Sequence, residues 1–388
     1  MPNTPTQGAA PQVEEQPANA QAVGVTPFVR ASDENLQPGN VDSSLQITAA
    51  TRDFGTFDVA SYGYVQFLTV KVSCSGGTTT TAVGTEDAPW VALQNVQLTE
   101  PNGAYIVQFT NGYEMYLANK YCGYFPPYAA DPRRSTFYSG IAAATGHFSF
   151  ILIIPVEVGR RDGVGALANQ DSAGQFKFRC SLAPSATIYA SGTLTTLPTV
   201  RLQVWLNAYD QPEATSAGLA NATEPPAHGT TSFWSVQSGI TVNAGNNTIE
   251  LKRKGNYLRL IIFVLRRAGT VRSTGEADWP TETRFLRDKF PARYYDFDVW
   301  RWLMFTRSGF GGVIGAEALT NELPGGLDNG VRVHDHIHEF DGGYGRENRD
   351  HWQPTRGSTS LEITGSFGTA GTLTVITNDV AIAQNVFL

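Results

Sequence analysis

LTVKVSC, residues Leu68–Cys74, decides the fold class. Leu68, Val70, Val72 and Cys74 fall on one face of an extended chain, and Thr69, Lys71 and Ser73 fall on the other. Side chains alternate across a strand, so this two-residue period marks a half-buried β-strand. Runs of the same kind recur at Phe148–Val156, Val200–Ala208, Tyr257–Leu265 and Leu373–Ile376, separated by stretches rich in Gly, Thr, Asn and Pro. Tyr257–Leu265 is apolar on both faces, which predicts a central strand covered on both sides. The chain is therefore expected to be all-β, with more strands than one sandwich needs.

Turn signals divide the runs. Gly76-Gly77, Pro101-Asn102-Gly103 and Pro126-Pro127 are strong breakers, and Thr99–Tyr105 reads as a hairpin between two apolar runs. Pro155 cannot donate to a ladder and is expected at a strand end or sheet edge. Residues 211–229 hold Pro212, Gly218, Pro225, Pro226 and Gly229 with almost no large apolar side chain, which makes them the best domain boundary. The organisation expected is an arm at 1–44, a first module at 45–213, a linker at 214–229 and a second module at 230–388. The arm offers only Val23, Val25, Phe28 and Val29 as anchors. It reads either as a disordered leader or as a segment that orders on a neighbouring subunit. Ala316–Leu319, stopped by Pro324-Gly325-Gly326, is one of few helix signals, within Val313–Leu323. No fixed-period repeat is visible; the two modules are alike in kind and not in letters.

The length of 388 residues fits two or three domains at about 150 residues each. Charged residues make up 16% of the chain, against about 25% in ordinary soluble domains. Subunit interfaces deplete charge at their cores, and a Thr/Ser/Asn-rich surface has the same effect, so both explanations fit. The net charge of −7 argues against a phosphate-gripping protein. The basic residues between Lys252 and Arg307 are interleaved with Glu276, Asp278, Glu282, Asp288, Asp296 and Asp298. Cys74, Cys122 and Cys180 are odd in number and lack CxxC spacing, so neither a disulfide framework nor a zinc finger is expected. Cys74 and Cys180 read as small buried hydrophobes, in keeping with a reducing cytoplasm. No signal peptide or membrane-spanning run is visible, and the protein is expected to be soluble.

Several constellations in the chain invite a chemical reading. His334, His336 and His338 would share one strand face, as a metal site, a pH-responsive surface or an ordinary exposed strand. Same-face neighbours about 7 Å apart place the outer two far from a common ion. Gly309–Gly315 lacks the Lys-Ser/Thr of a phosphate loop and reads as a turn. Asp341–Gly345 has too few oxygen ligands for calcium. Glu157 and Asp162 could be posed as a glycosidase pair, but they flank Arg160-Arg161 and read as an exposed loop. No Gly-x-Ser-x-Gly elbow or dinucleotide fingerprint is present. No catalytic, cofactor-binding or metal residue is therefore assigned, and the chain is not expected to be an enzyme.

Phe148–Gln170 (FSFILIIPVEVGRRDGVGALANQ), Gln175–Leu182 and Val200–Glu213 resemble the end of the first jelly roll in major capsid proteins of tectivirus-type bacteriophages, in the hexon-like viral lineage. Phe67–Gly103 resembles that family's early strands and hairpin, and Gly255–Gly269 a hydrophobic strand of its second roll. The resemblance covers residues of about 45 to 270 and is weaker beyond Trp279. It implies two tandem eight-stranded jelly rolls with few short helices, no cofactor, and assembly of three chains into a pseudo-hexameric capsomer that tiles an icosahedral shell. The implied partners are neighbouring capsomers, penton or vertex proteins, minor capsid proteins and an internal viral membrane, with no direct nucleic-acid contact. The implied location is the virion shell, after synthesis in the host cytoplasm. The sequence departs from the family in an arm without a helix-forming pattern, in Trp279–Phe310, and in the histidine strand. On this reading the arm and the loops at Cys122–Gly146 and Gly269–Phe290 make contacts between chains. The competing reading is a glycan- or receptor-binding β-sandwich, with Trp90, Trp234, Trp279 and Trp352 as exposed sugar-stacking candidates. A cupin-type enzyme lacks a convincing histidine set.

Overall fold

Strand Tyr64–Ser75 carries the Leu68–Cys74 alternation, with Leu68, Val70, Val72 and Cys74 buried as the period requires. The computed structural model describes residues 26–27, 32–125, 130–160, 163–210, 223–224, 230–267, 271–300, 302, 328–336, 338–340, 347–348 and 352–381. Within these, sixteen strands make two sandwiches with one topology.

Roll 1 contains β1 (Glu34–Gln46), β2 (Arg52–Asp58), β3 (Tyr64–Ser75), β4 (Leu93–Thr99), β5 (Tyr105–Asn111), β6 (Ser149–Pro155), β7 (Lys177–Leu182) and β8 (Thr199–Tyr209). Its sheets run β1-β8-β3-β6 and β2-β7-β4-β5, antiparallel throughout. Roll 2 contains β9 (Thr231–Val242), β10 (Gly245–Glu250), β11 (Tyr257–Arg267), β12 (Glu282–Arg287), β13 (Phe290–Asp296), β14 (Val331–Asp335), β15 (Leu361–Phe367) and β16 (Gly371–Ala381). Its sheets run β9-β16-β11-β14 and β10-β15-β12-β13. Each strand of roll 2 takes the place of the roll 1 strand numbered eight lower. This is the repeat that the letters hide. A ribbon of Thr78–Gly84 with Tyr189–Thr196 is added to roll 1.

The rolls are joined edge to edge. β5 runs parallel to β9, with Val107 opposite Trp234, so one sheet of each roll continues into a sheet of the other. The core is continuous as well. Val70, Leu202 and Phe109 of roll 1 share a cluster with Leu260, Ile262, Val264 and Ile376 of roll 2. The opposite face of β11 (Ile261, Phe263, Leu265) lines roll 2's own interior. This explains why Tyr257–Leu265 is apolar on both faces.

The hairpin expected at Thr99–Tyr105 joins β4 to β5. Gly103 takes φ +88°, and Asn102 Oδ1 accepts the Ala104 N–H at 2.7 Å. Pro155 ends β6, an edge strand. Two expectations need correction. The stretch read as an arm to residue 44 contains β1 from Glu34, which pairs with β8 along its whole length. Its sequence, ENLQPGNVDSSLQ, is polar because an edge strand covered on one side needs few apolar residues. Glu157, read as part of an exposed loop, is buried. The helix expected at Val313–Leu323, the glycine-rich loops at Gly309–Gly315 and Asp341–Gly345, Asp162 and most of the linker lie outside the described residues.

Candidate functional site: the seam and the free edges

The functional geometry of a two-roll block lies in how its rolls are locked together and what its edges offer. The lock begins with a helix. Asn111, the last residue of β5, caps α1 (Gly112–Tyr121). Its Oδ1 accepts the N–H groups of Tyr113 (2.9 Å) and Glu114 (3.1 Å), and Glu114 reaches back to the Asn111 N–H at 3.3 Å. This is a capping box, with a cap worth about 1 kcal/mol. Every residue of α1 is buried. Burial pushes the Glu114 carboxyl up to about 7, against the N–H bonds from Thr110 and Asn111. Asn119 stands in for a ladder partner at the β6 edge. Its amide donates to the Ile153 carbonyl (2.7 Å) and its Oδ1 accepts the Ile153 N–H (2.6 Å).

From α1, Lys120 enters a buried charge network. Its Nζ lies 2.8 Å from Asp328 Oδ2 and 3.6 Å from Asp131 Oδ2. Arg133 clamps Asp131 through Nε (3.0 Å) and Nη2 (2.6 Å). The hydroxyls of Tyr116 and Tyr121 donate to Asp328 at 2.9 and 2.8 Å. Asp328 precedes β14, so the network ties roll 2 to α1 of roll 1. Burial opposes ionisation of Asp328, but the charges of Lys120 and Arg133 outweigh it and hold the carboxyl at about 2. Burial, followed by the Asp328 charge, pushes the Tyr116 and Tyr121 hydroxyls well above their ordinary range.

Two more bridges cross the seam. Glu86 and Asp87, before β4, meet Arg266 at the end of β11 and Arg272 beyond it. Arg272 Nε is 3.0 Å from Asp87, its N–H donates to Glu86 at 2.6 Å, and its Nη1 donates to the Tyr113 hydroxyl at 2.9 Å. Arg266 also pairs with Asp87. Arg259 on β11 donates to the Cys122 carbonyl and, at 3.2 Å, to Asn378 Oδ1. A buried charge is tolerated only when partnered, so these pairings fix one arrangement of the rolls. Asp131 and Arg272, from two loops expected to reach other chains, are committed to the chain's own seam.

His334 and His336 do share a face, as expected, but that face lies inside roll 2 and both are buried. His334 stacks on Tyr295 (4.1 Å between centroids) and meets the edge of Phe263 (5.0 Å). Burial, followed by the Arg332 charge, holds its imidazole down at about 3. Its Nδ1 has no hydrogen-bond partner among the described residues. His338 begins a separate short strand, His338–Phe340, paired with Glu347–Asn348. Among the described residues, no three His, Cys, Asp or Glu side chains are grouped to hold a metal. The strand expected to be exposed is buried because alternation placed its histidine face toward Phe263 and Phe285, away from solvent.

Glu157 is a packing element. It accepts the hydroxyls of Tyr124 (2.9 Å) and Tyr209 (2.7 Å) and the Gly163 N–H (2.6 Å). Trp90, Trp234, Trp279 and Trp352 are all buried and present no sugar platform. Trp90, for example, is stacked between Tyr116 (4.6 Å) and Tyr138 (5.3 Å). Cys74, Cys122 and Cys180 are all buried, and burial pushes the Cys74 thiol up to about 12. Among the described residues, no helix is long and apolar enough to cross a membrane.

Large apolar side chains are exposed elsewhere. Phe290 and Tyr294 project from β13, and Val299 and Trp302 follow it; Leu36 projects from β1. Among the described residues, β13 and β1 are both edge strands. The aromatic residues from Tyr294 to Trp302 divide between core and solvent. Tyr295 and Phe297 pack against the core and Trp300 is buried within it, whereas Tyr294 and Trp302 face solvent.

No family model matches the chain, and no curated protein matches its sequence. Its structure does match solved ones. The STIV major capsid protein aligns over 92% of this chain and 100% of its own length, with a TM-score of 0.60 and 10% identity. The capsid of the PBCV-1 virus gives a TM-score of 0.57 at 10% identity, over 90% of this chain and 93% of that one. The major capsid protein P2 of bacteriophage PM2 gives 0.53 at 8% identity, over 91% and 99%. The fold is the double jelly roll of viral major capsid proteins. Conserved letters do not carry this likeness; strand order and the pairing of two rolls do.

Proposed function

We propose that this chain is a viral major capsid protein. The observation that carries the reading is the duplication itself: two rolls of one topology, joined through a continuous sheet and a shared core. Three such chains supply six rolls, enough for a pseudo-hexagonal tile from a three-fold oligomer. Closed symmetry lets many modest contacts sum to a stable particle. Low charge fits a surface largely covered by neighbours, and the acidic balance fits a shell that does not grip nucleic acid.

In this reading the chain resides in the virion, after synthesis in the host cytoplasm. Its partners are its own copies, adjacent capsomers, and penton and minor capsid proteins. The shell is icosahedral and encloses a membrane vesicle around double-stranded DNA, in a tectivirus-like bacteriophage. No enzymatic role is assigned. The glycan-binding alternative loses its main support with the burial of the four tryptophans.

The solution mass of the purified chain by light scattering tests the proposal. A mass three times that of the chain is expected. A monomer at every concentration, with hits on a glycan array, would overturn it.

A further inference from the structure

The outer edge of β6 is closed at two positions and open at the one between them. Bonds from β6 to β3 follow the even-numbered positions. At either end of the strand, the Cys74 N–H donates to the Phe148 carbonyl (2.9 Å) and the Val156 N–H donates to the Gln66 carbonyl (3.2 Å). In an antiparallel pair the alternate residues turn their backbone groups the other way, so those of Ser149, Ile151 and Ile153 point away from β3. Ser149 exchanges both bonds with Ser139, at 2.8 and 3.1 Å. Ile153 exchanges both with the Asn119 amide. Ile151, between them, has no partner for its N–H or its carbonyl among the described residues. A backbone donor and acceptor that lack a chain partner must find one elsewhere.

Ile151 lines a cavity of about 390 Å³, within the size range of small-molecule sites. Ile153 on β6, and Phe125, Ala130 and Pro132 beyond α1, make much of its wall apolar. Two charged residues complete the wall. Asp131 is engaged by Lys120 and Arg133, and Arg134 brings a positive charge. The Ser139 bridge and the Asn119 amide close the ladder on both sides, so the gap takes a single residue and a through-running strand does not fit. An amide N–H, a carboxylate and an apolar side chain on one carbon match the open pair, the cation and the walls.

We propose that the cavity beside Ile151 binds a small N-acylated amino acid with an apolar side chain. The ligand's amide N–H donates to the Ile151 carbonyl, and one carboxylate oxygen accepts the Ile151 N–H. The other carboxylate oxygen faces Arg134, and the side chain packs among the apolar residues. The site lies within roll 1 and is independent of the capsomer reading.

The probe is N-acetyl-leucine, added to the full chain and followed by saturation-transfer NMR and calorimetry. Saturable binding is expected, at the weak affinity usual for so small a ligand. Ile151→Pro removes the N–H that faces the cavity without removing a ladder bond, a place where a strand accepts proline. It should weaken binding about tenfold or more, the worth of a hydrogen bond to a charged group. Ile151→Val keeps the N–H and should bind as wild type does. Ser135→Trp, at another wall residue, fills the cavity and should abolish binding. Thermal melts establish that each variant is folded, and Ser135→Trp decides the matter where Ile151→Pro does not fold. Absence of saturable binding to the wild type, or undiminished binding to folded Ser135→Trp, would overturn the site. Undiminished binding to folded Ile151→Pro would overturn the backbone pairing. Binding of a capped peptide with leucine at its centre, in preference to N-acetyl-leucine, would overturn the single-residue gap.

Discussion

Asp328→Asn cuts the lock between the rolls at its most connected point. Asp328 accepts from Lys120 and from two tyrosine hydroxyls, with almost no solvent access. A carboxyl held at about 2 in place of 3.8 contributes about 2.5 kcal/mol while ionised. Removing one partner of a buried pair costs about 3–5 kcal/mol, because the other charge is left stranded. Lys120 keeps Asp131 at 3.6 Å, so the lower end of that range, about 3 kcal/mol, is expected. The folded carboxyl titrates below its ordinary value, so its contribution is complete above pH 3.8 and fades as pH falls toward 2. The variant should therefore lose stability at pH 7 and show a shallower acid dependence between those values. The assay is equilibrium urea unfolding at fixed chain concentration, followed by tryptophan fluorescence and circular dichroism. Both probes should move together in one transition, since one core spans both rolls. A loss below about 1 kcal/mol, the worth of a surface pair, would refute the claim of a buried lock. Two separate transitions in the wild type would refute the shared core.

His334→Phe tests the buried imidazole. The folded pKa lies below the unfolded value, so neutral His334 supports the fold above pH 6.5, and that support is lost as pH falls toward about 3. The wild type should lose about 1.4 kcal/mol per pH unit across that window from this group. The phenylalanine variant should match it at pH 7 and show a flatter profile in urea melts; parallel profiles would contradict the assignment. Asn111→Ala should cost about 1 kcal/mol through the lost cap, read in the same assay. Trp90→Ala should cost about 3–5 kcal/mol by leaving a void among Tyr116, Tyr138 and Phe150, and an expressed variant as stable as wild type would contradict the packing described.

Local pattern carried much of the fold into the sequence. Alternation at Leu68–Cys74, two-faced apolarity at Tyr257–Leu265 and the Asn102-Gly103 turn each describe one element against solvent or core, and each element forms as read. The misses share a cause as well. β1 went unread because a one-sided edge strand can be almost wholly polar. α1 went unread because a helix buried all round has no amphipathic stripe, although Asn111 followed by Glu114 three residues on is a capping-box signal. The histidine strand kept its period, but period alone does not say which face is inside. The seam network was the least accessible. Lys120 and Asp328 are 208 residues apart, and only the folded topology brings them together. The exposed apolar residues of β13 were visible as letters, yet their exposure follows from its being an edge, which pairing order alone decides.

The central claim is that one chain is two-sixths of a ring. Class averages of the purified oligomer by electron microscopy test it most directly. The account predicts a three-fold particle with six lobes of similar size around a closed perimeter. A particle of isolated two-lobed blocks, or a two-fold dimer, would contradict it.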